Sequence, residues 1–489
     1  MVVNSFIFLA FFVVVFVVYY APWTSRSITR QNVWLLLTSY FFYGYVDWKT
    51  LPLLFCVTLI FFLLGRTIRN AIDKGNTTFS SKMTTVGVIL GVGILLYFKY
   101  LNFFADSVAL FLQSIGIVVS WSSLNIVLPI GVSFFTFKLV SYVIEVHREK
   151  ISPSKGFLEF AVYISFFPTI MSGPIDRPGA FLPQIRTQHR FDFNLAMEGC
   201  QQILWGIFTK MVIADRLAAV TTTAWENPQG QIPFRLIYAA VLSPIQIYAD
   251  FDGYSNMAIG IGKILGFKIT KNFNHPLLAR NVADYWRRWH ISLTAWITDY
   301  VFMPLNIAFR NMGKMGIMLA VTINLVTIGM WHGANWKYAL FGLYYSLLYI
   351  PLILSDDFGK NKKLKEGRWG LPKAVDFLKM ISTYVLVAFG QILFFSPNLS
   401  SFGLYVARMF SWQDGFVSPF AGAGTIVWFW MALIIVLEWI TRKREFPIQR
   451  MSGDYSYHHI RLIVFDLFLA VMITMFGGYG RPGFIYFQF

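Results

Sequence analysis

Two histidines stand among neighbours that suit proton transfer. The first, His290, lies in the run Asp284, Tyr285, Trp286, Arg287, Arg288, Trp289, His290, Ile291, Ser292, Leu293, Thr294, Ala295, Trp296. On a helix Trp286, His290, Leu293 and Ile297 share a face, with Arg287 one turn before His290 and Thr294 one turn after it. An adjacent guanidinium and burial both disfavour a charged imidazole, so His290 is expected to stay neutral at physiological pH, able to accept a proton or to hydrogen-bond a substrate. Arg287 and Arg288 suit anionic oxygens, on a substrate or equally on lipid headgroups. The same run also suits an interfacial helix anchored by its Trp and Arg side chains. Residue types alone leave both readings open.

The second, His332, stands in Gly329, Met330, Trp331, His332, Gly333, Ala334, Asn335, Trp336, at the end of an otherwise uncharged helix expected from about Ile317 to Met330. Gly333 and Ala334 leave room for a ligand to approach the ring, and Asn335 is placed to fix its tautomer. An ionisable group inside an apolar span is a functional hypothesis by default, with interhelical hydrogen bonding as the common alternative.

The elements that must hold these side chains are membrane helices. Of 489 residues, 56% are apolar and 13% charged, and Phe alone supplies 50. Ordinary soluble domains carry roughly 25% charged residues, so a soluble enzyme is excluded. At about 20 residues per span, the chain has room for about ten to twelve transmembrane helices in one all-α, membrane-embedded domain. Its expected parts are N-terminal spans over 1–124, a core carrying the motifs over 125–355, and C-terminal spans over 356–489. The 41 Lys and Arg against 24 Asp and Glu give a net charge of +17. Basic short loops facing anionic lipid account for that, and nucleic acid is not an expected partner.

Loop charge gives an orientation. Arg26 and Arg30 follow the first apolar run, Ser5 to Tyr20, which shows no cleavage site and is expected to be retained. A poor link at Asp47 and Lys49 follows, and then a basic loop with Arg66, Arg69, Lys74 and Lys82. The N-terminus is therefore expected outside. Thr84 to Phe98 returns outward and Leu128 to Val146 inward, which requires Phe103 to Val119 to lie in the interface or re-enter. Lys360, Lys362, Lys363, Lys365, Arg368 and Lys373 form one expected cytoplasmic loop, and Arg442, Lys443, Arg444 and Arg450 another. Spans over 375–395 and 426–440 should separate them, with a polar excursion through Asn398 and Gln413, and a last span over 462–476 leaves the C-terminus outside. On this threading 317–331 rises outward and His332 lies toward the outer half of the membrane.

From about Phe157 to Arg310 the charges Lys210, Asp215, Arg216, Asp250 and Asp252 interrupt the pattern, which suits helices lining a cavity. Cys56 and Cys200 fit no CxxC or Cys/His spacing, so neither disulfides nor a metal site is expected. Gly260 and Gly262 read as close helix packing, and His275, before Pro276, as a turn residue.

The words around the histidines resemble the membrane-bound O-acyltransferase family, in the bacterial branch that includes alginate O-acetyltransferase. The resemblance rests on Tyr285 to Trp296 with Asp299 and Tyr300 following, and on Trp331 to Trp336. Supporting segments are Phe167 to Arg177, Tyr248 to Ser255, Asn272 to Pro276 and Phe484 to Phe489. Similar motifs occur in the D-alanyl transfer protein of teichoic acid modification. The resemblance implies helices ringing a central funnel or tunnel in a bacterial cytoplasmic membrane. It further implies an acyl donor from the cytoplasm and a hydroxyl acceptor from outside, with His332 matching the essential histidine and His290 its upstream partner. The expected activity is transfer of an acetyl group from a cytoplasmic thioester to an extracytoplasmic polysaccharide or a periplasmic relay protein. Acetyl-CoA is the expected donor, and no bound cofactor is expected. The alternatives are D-alanyl transfer from an acyl-carrier protein, and a transporter or flippase.

Overall fold

The computed structural model describes residues 3–117, 121–360, 370–411, 425–447, 449, 459–478 and 484. Lys362, Lys363, Lys365, Arg368, Gln413, Arg450 and residues 485–489 lie outside them. The fold is all-α, with no strand among the described residues. Among the described residues, five stretches are long and apolar enough to cross a membrane, namely 28–73, 77–114, 310–332, 336–354 and 374–395, and three shorter apolar helices accompany them. The chain divides into two compact units, 1–200 with 258–270 and 201–257 with 271–489.

The first unit holds α1 (Phe6–Tyr20), α2 (Pro22–Ser25), α3 (Ile28–Asp47), α4 (Leu51–Asp73), α5 (Thr77–Leu95), α6 (Leu101–Ser114), α7 (Val132–His147), α8 (Phe157–Ser165) and α9 (Pro178–Ile185), with the start of α10 (Phe193–Phe208). The expected outward pass 84–98 and the start of the expected interfacial or re-entrant stretch 103–119 lie on one helical run, since α5 passes into α6 through a π turn at Leu96–Tyr100. Asn102, the polar residue at the junction, is satisfied sideways. Its Nδ2 donates to Leu124 O at 2.8 Å and its Oδ1 accepts the Leu124 N–H at 3.0 Å, so the helix need not break there. The loop from Phe166 to Asp176 is irregular yet buried. Side chains meet its polar groups, with Lys138 Nζ donating to Thr169 Oγ1 at 3.0 Å and the Phe167 N–H to Ser39 Oγ at 3.2 Å. That satisfaction is what lets irregular backbone survive in an apolar interior.

The second unit holds α11 (Asp215–Glu226), most of α12 (Pro233–Ile264), α13 (Val282–Arg288), α14 (Ile291–Ile297), α15 (Met303–Ala308), α16 (Gly313–His332), α17 (Trp336–Leu354), α18 (Ala374–Phe395), α19 (Leu399–Met409), α20 (Thr425–Ile440) and α21 (His459–Phe476). The spans expected from 317 onward lie within a few residues of α16, α17, α18, α20 and α21. Asn398 caps a helix, its Oδ1 accepting the Ser401 N–H at 2.8 Å. Several of the charges that interrupt this stretch of sequence pair with each other. Lys210 Nζ donates to Asp215 Oδ1 at 2.8 Å and to Asp250 Oδ1 at 2.5 Å, all three side chains being buried. A buried charge must be compensated this way or lose its charge.

Candidate active site

His290 is not on a continuous helix. α13 ends at Arg288, α14 begins at Ile291, and His290 between them takes the left-handed conformation, φ 42° and ψ 52°. Trp286, His290, Leu293 and Ile297 therefore do not form one helical face, and the single anchoring helix is corrected to two short ones. The reason lies in the segment from Asn272 to Asn274, which bonds to the break. The Ile291 N–H donates to Asn272 O at 2.7 Å and the Asn274 N–H to Arg288 O at 3.0 Å. Asn272 also joins the side chains, accepting from Ser292 Oγ at 2.6 Å and donating from Nδ2 to Ser255 Oγ at 3.1 Å. A non-glycine residue at positive φ persists only when its surroundings over-determine it, at a cost of about 1–3 kcal/mol. Here the surroundings do so, and they hold the imidazole against Phe251, 4.7 Å between ring centres. Burial pushes the His290 pKa down to about 3, so the ring is neutral at physiological pH as the sequence implied. The operative cause is desolvation, not the neighbouring guanidinium.

His332 is the last residue of α16, buried at the tight connection to α17. Trp331 brings the two histidines together: its ring lies 5.5 Å from that of His290 and 5.1 Å from that of His332. Tyr338 and Phe341 of α17 and Phe394 of α18 complete an aromatic wall, Phe394 at 5.1 Å from the imidazole. Asn335 is occupied as the cap of α17, its Oδ1 accepting the Lys337 N–H at 3.0 Å. Lys337, which sequence reasoning passed over, is buried beside it and binds the end of α18, donating to Phe394 O at 3.0 Å and Ser396 O at 2.5 Å. A cation on the last carbonyls of a helix is favourable, and here it fixes the element that carries Phe394.

One face of α17 leads away from this wall. Tyr338, Phe341, Tyr345 and Tyr349 follow at spacings of three and four and are all buried, and Leu352 continues the row. Trp286 of α13 packs on Tyr345 at 5.2 Å. Buried there, Trp286 Nε1 and Tyr345 OH have no hydrogen-bond partner among the described residues. At the far end Leu352 borders a pocket of about 270 Å³, lined also by Arg280, Arg287, Lys360 and Lys379 with Asp284 and Asp357. From Leu352 to Tyr338 the helix rises roughly 21 Å. Of the two arginines singled out by sequence, Arg287 lines this pocket. Arg288 is engaged in the fold, pairing with Asp284 at 2.9 Å and donating to Asn274 O at 3.2 Å.

His275 is the turn residue expected, but it also carries a buried network. Its Nδ1 lies 3.0 Å from Glu438 Oε2 and its Nε2 3.0 Å from Arg444 O, while Tyr248 OH donates to Glu438 Oε1 at 2.9 Å. Sequence reasoning missed the role of Asn272. The available signal was its place in the Asn272 to Pro276 word, where two asparagines stand next to a histidine and a proline.

An all-α membrane chain with two buried imidazoles on one indole, from which a buried aromatic helix face runs to a basic pocket, has the features of an acyl-transfer site. The chain matches the membrane-bound O-acyltransferase family, MBOAT, over residues 35–354 and belongs to it. It is an acyltransferase of the membrane. It is 32% identical to the probable alginate O-acetylase AlgI of Azotobacter vinelandii over 85% of this chain and 79% of that protein. It is 27% identical to the peptidoglycan O-acetyltransferase of Helicobacter pylori over 76% and 72%, and 30% identical to the teichoic acid D-alanyltransferase of Bacillus subtilis over 55% and 69%.

Proposed function

We propose that the protein transfers an acetyl group from cytoplasmic acetyl-CoA to a hydroxyl of an extracytoplasmic polysaccharide, or of a relay protein that serves one, from a bacterial cytoplasmic membrane with both termini outside. The observation that carries this reading is the buried face of α17, which runs from a basic pocket to His332 over a span that an extended pantetheine arm can bridge. Arg287, with Arg280, Lys360 and Lys379, meets the donor's phosphates, and the arm lies along Tyr349, Tyr345 and Phe341. His332 takes the proton from the attacking hydroxyl as its oxygen forms a bond to the thioester carbonyl carbon. The carbon–sulfur bond then breaks, and the thiolate leaves and is protonated by the imidazolium. General base catalysis of this kind contributes about 10²–10⁴-fold. His290, neutral and held at the helix break, orients the reacting groups by hydrogen bonding. The aromatic walls keep water from the thioester. The relatives acting on alginate and peptidoglycan favour acetyl transfer to a polymer, while the D-alanyltransferase relative keeps a carrier-protein donor as the second reading.

The test is thioester turnover by the full chain in nanodiscs, comparing wild type with His332→Ala and His290→Ala. The expected result is CoA release dependent on an acceptor and abolished in a folded His332→Ala protein. Turnover of a carrier-bound thioester but not of acetyl-CoA would move the assignment to D-alanyl transfer. Substrate movement across the bilayer without thioester cleavage would overturn it in favour of a transporter.

A further inference from the structure

Apart from the histidine site, a groove of about 810 Å³ opens between the first half of α18 and the second half of α20. Phe377 and Ile381 form one wall and Ile435 and Trp439 the other, over a floor that includes Leu277 and Leu278. Tyr384 donates its hydroxyl to Val241 O at 2.5 Å, so the surface it leaves to the groove is hydrocarbon. Along α18, from Ala374 to Tyr384, the groove is about 15 Å long, half of a hydrocarbon core of about 30 Å. That is the depth of one leaflet.

The mouth decides what fits. The groove's upper edge, at Leu371 and Pro372, is followed by Lys373, and the α20 wall runs on from Trp439 to Arg442, Lys443 and Arg444. Arg442 is fixed across the opening. It donates from Nη2 to Gly370 O at 3.3 Å and from Nη1 to Trp439 O at 2.7 Å, with its guanidinium 4.4 Å from the Trp439 ring centre. Lys373 and Lys443 are exposed beside it. A slot of hydrocarbon one leaflet deep, with a tryptophan and several cations at its rim, matches a molecule with an acyl chain below and an anion above.

We propose that this groove is a binding site for an anionic phospholipid, with one acyl chain between α18 and α20 and the phosphate met by Lys373, Arg442 and Lys443. A soluble carrier protein could meet the cations, but its surface could not reach the Phe377 to Tyr384 depth of the slot. The site uses none of the residues assigned to the transfer chemistry.

The experiment is native mass spectrometry of the full chain released from detergent, titrated with phosphatidylglycerol and, separately, with phosphatidylethanolamine. Wild type should retain one phosphatidylglycerol in preference to phosphatidylethanolamine. Val436→Trp, which fills the groove from an exposed position, should weaken retention roughly tenfold. The Lys373→Gln/Lys443→Gln pair should do the same by removing headgroup contacts, with thioester turnover unchanged in both. If Val436→Trp fails to fold, the lysine pair decides alone. Equal retention of the two lipids, retention unchanged in the folded variants, or a carrier protein held at the groove in place of lipid would overturn the proposal.

Discussion

Asn272→Ala tests whether the break at His290 is held for catalysis. The asparagine is buried, as are Ser255 and Ser292, and it makes one hydrogen bond to each. Each such bond is worth about 1 kcal/mol net, and a buried group left unmet costs about 1–3 kcal/mol. Since serine hydroxyls can rotate to other acceptors, the total loss is about 2–4 kcal/mol. The backbone bonds from Ile291 and Asn274 survive the substitution, so the fold should persist at a lower thermal midpoint. The left-handed His290 then has less to hold it. If even about 1 kcal/mol of the loss appears in the transition state, turnover falls about fivefold. Steady-state thioester turnover in nanodiscs reads this as a drop in kcat with little change in donor KM. Ser292→Ala should lower kcat less, and the double variant should be less than additive, because both changes break one bond. Wild-type kcat in a folded Asn272→Ala protein, or strict additivity with Ser292→Ala, would refute the reasoning.

Burial holds the His290 imidazole at a pKa of about 3 against an ordinary value of 6.5, so between those values the unfolded chain binds the proton and the folded one does not. Stability therefore falls as pH drops below the ordinary value, and His290→Gln should remove part of that acid sensitivity in thermal midpoints measured from pH 7 to pH 4. Arg287→Gln should raise donor KM roughly tenfold with kcat nearly kept, whereas Arg288→Gln should lower the thermal midpoint instead, since its partners are Asp284 and Asn274 O. Lys337→Met removes two charge-assisted bonds to the end of α18 and should destabilise the protein by about 2–4 kcal/mol, read as a lower thermal midpoint with reduced kcat.

The long apolar helices were legible because hydropathy reports them directly, and α16 to α18 lie within a few residues of expectation. His332 was legible for the same reason, as an ionisable residue closing an uncharged span. The shape around His290 was not. A run of Tyr, Trp and Arg reads as helix from residue 284 to 297, and nothing local marks residue 290 as left-handed. The break is imposed by Asn272, Asn274 and Ser292, partners about twenty residues apart or brought in from the other side of the break. The α5 to α6 passage shows the converse, where Asn102, polar and within an apolar run, is satisfied by Leu124 from a later segment. In both places the deciding partner is distant in sequence, and periodicity cannot see it.

The position of His332 depends on how closely α16 and α17 approach, and this can be perturbed without touching either imidazole. A Cβ added at Gly342 would lie 2.4 Å from Leu325 O and 2.5 Å from the Val326 Cα, both backbone atoms of α16. No side chain there can move aside, so Gly342→Ala must push the helices apart by about 1 Å to reach ordinary contact. Overpacking of this kind costs about 1–3 kcal/mol, which a large helical domain can survive. Displacing a catalytic group by about 1 Å costs about 10²-fold in rate. Turnover should thus fall about a hundredfold in a protein that still folds, with donor KM less affected, because the Arg287 pocket lies at the opposite end of α17. Gly403→Ala is the matched control, since a Cβ on that α19 residue meets nothing within 4 Å. A Gly342→Ala protein with wild-type turnover would show that the α16 to α17 approach does not set the reacting geometry, and the assignment of His332 as the base would lose its structural support.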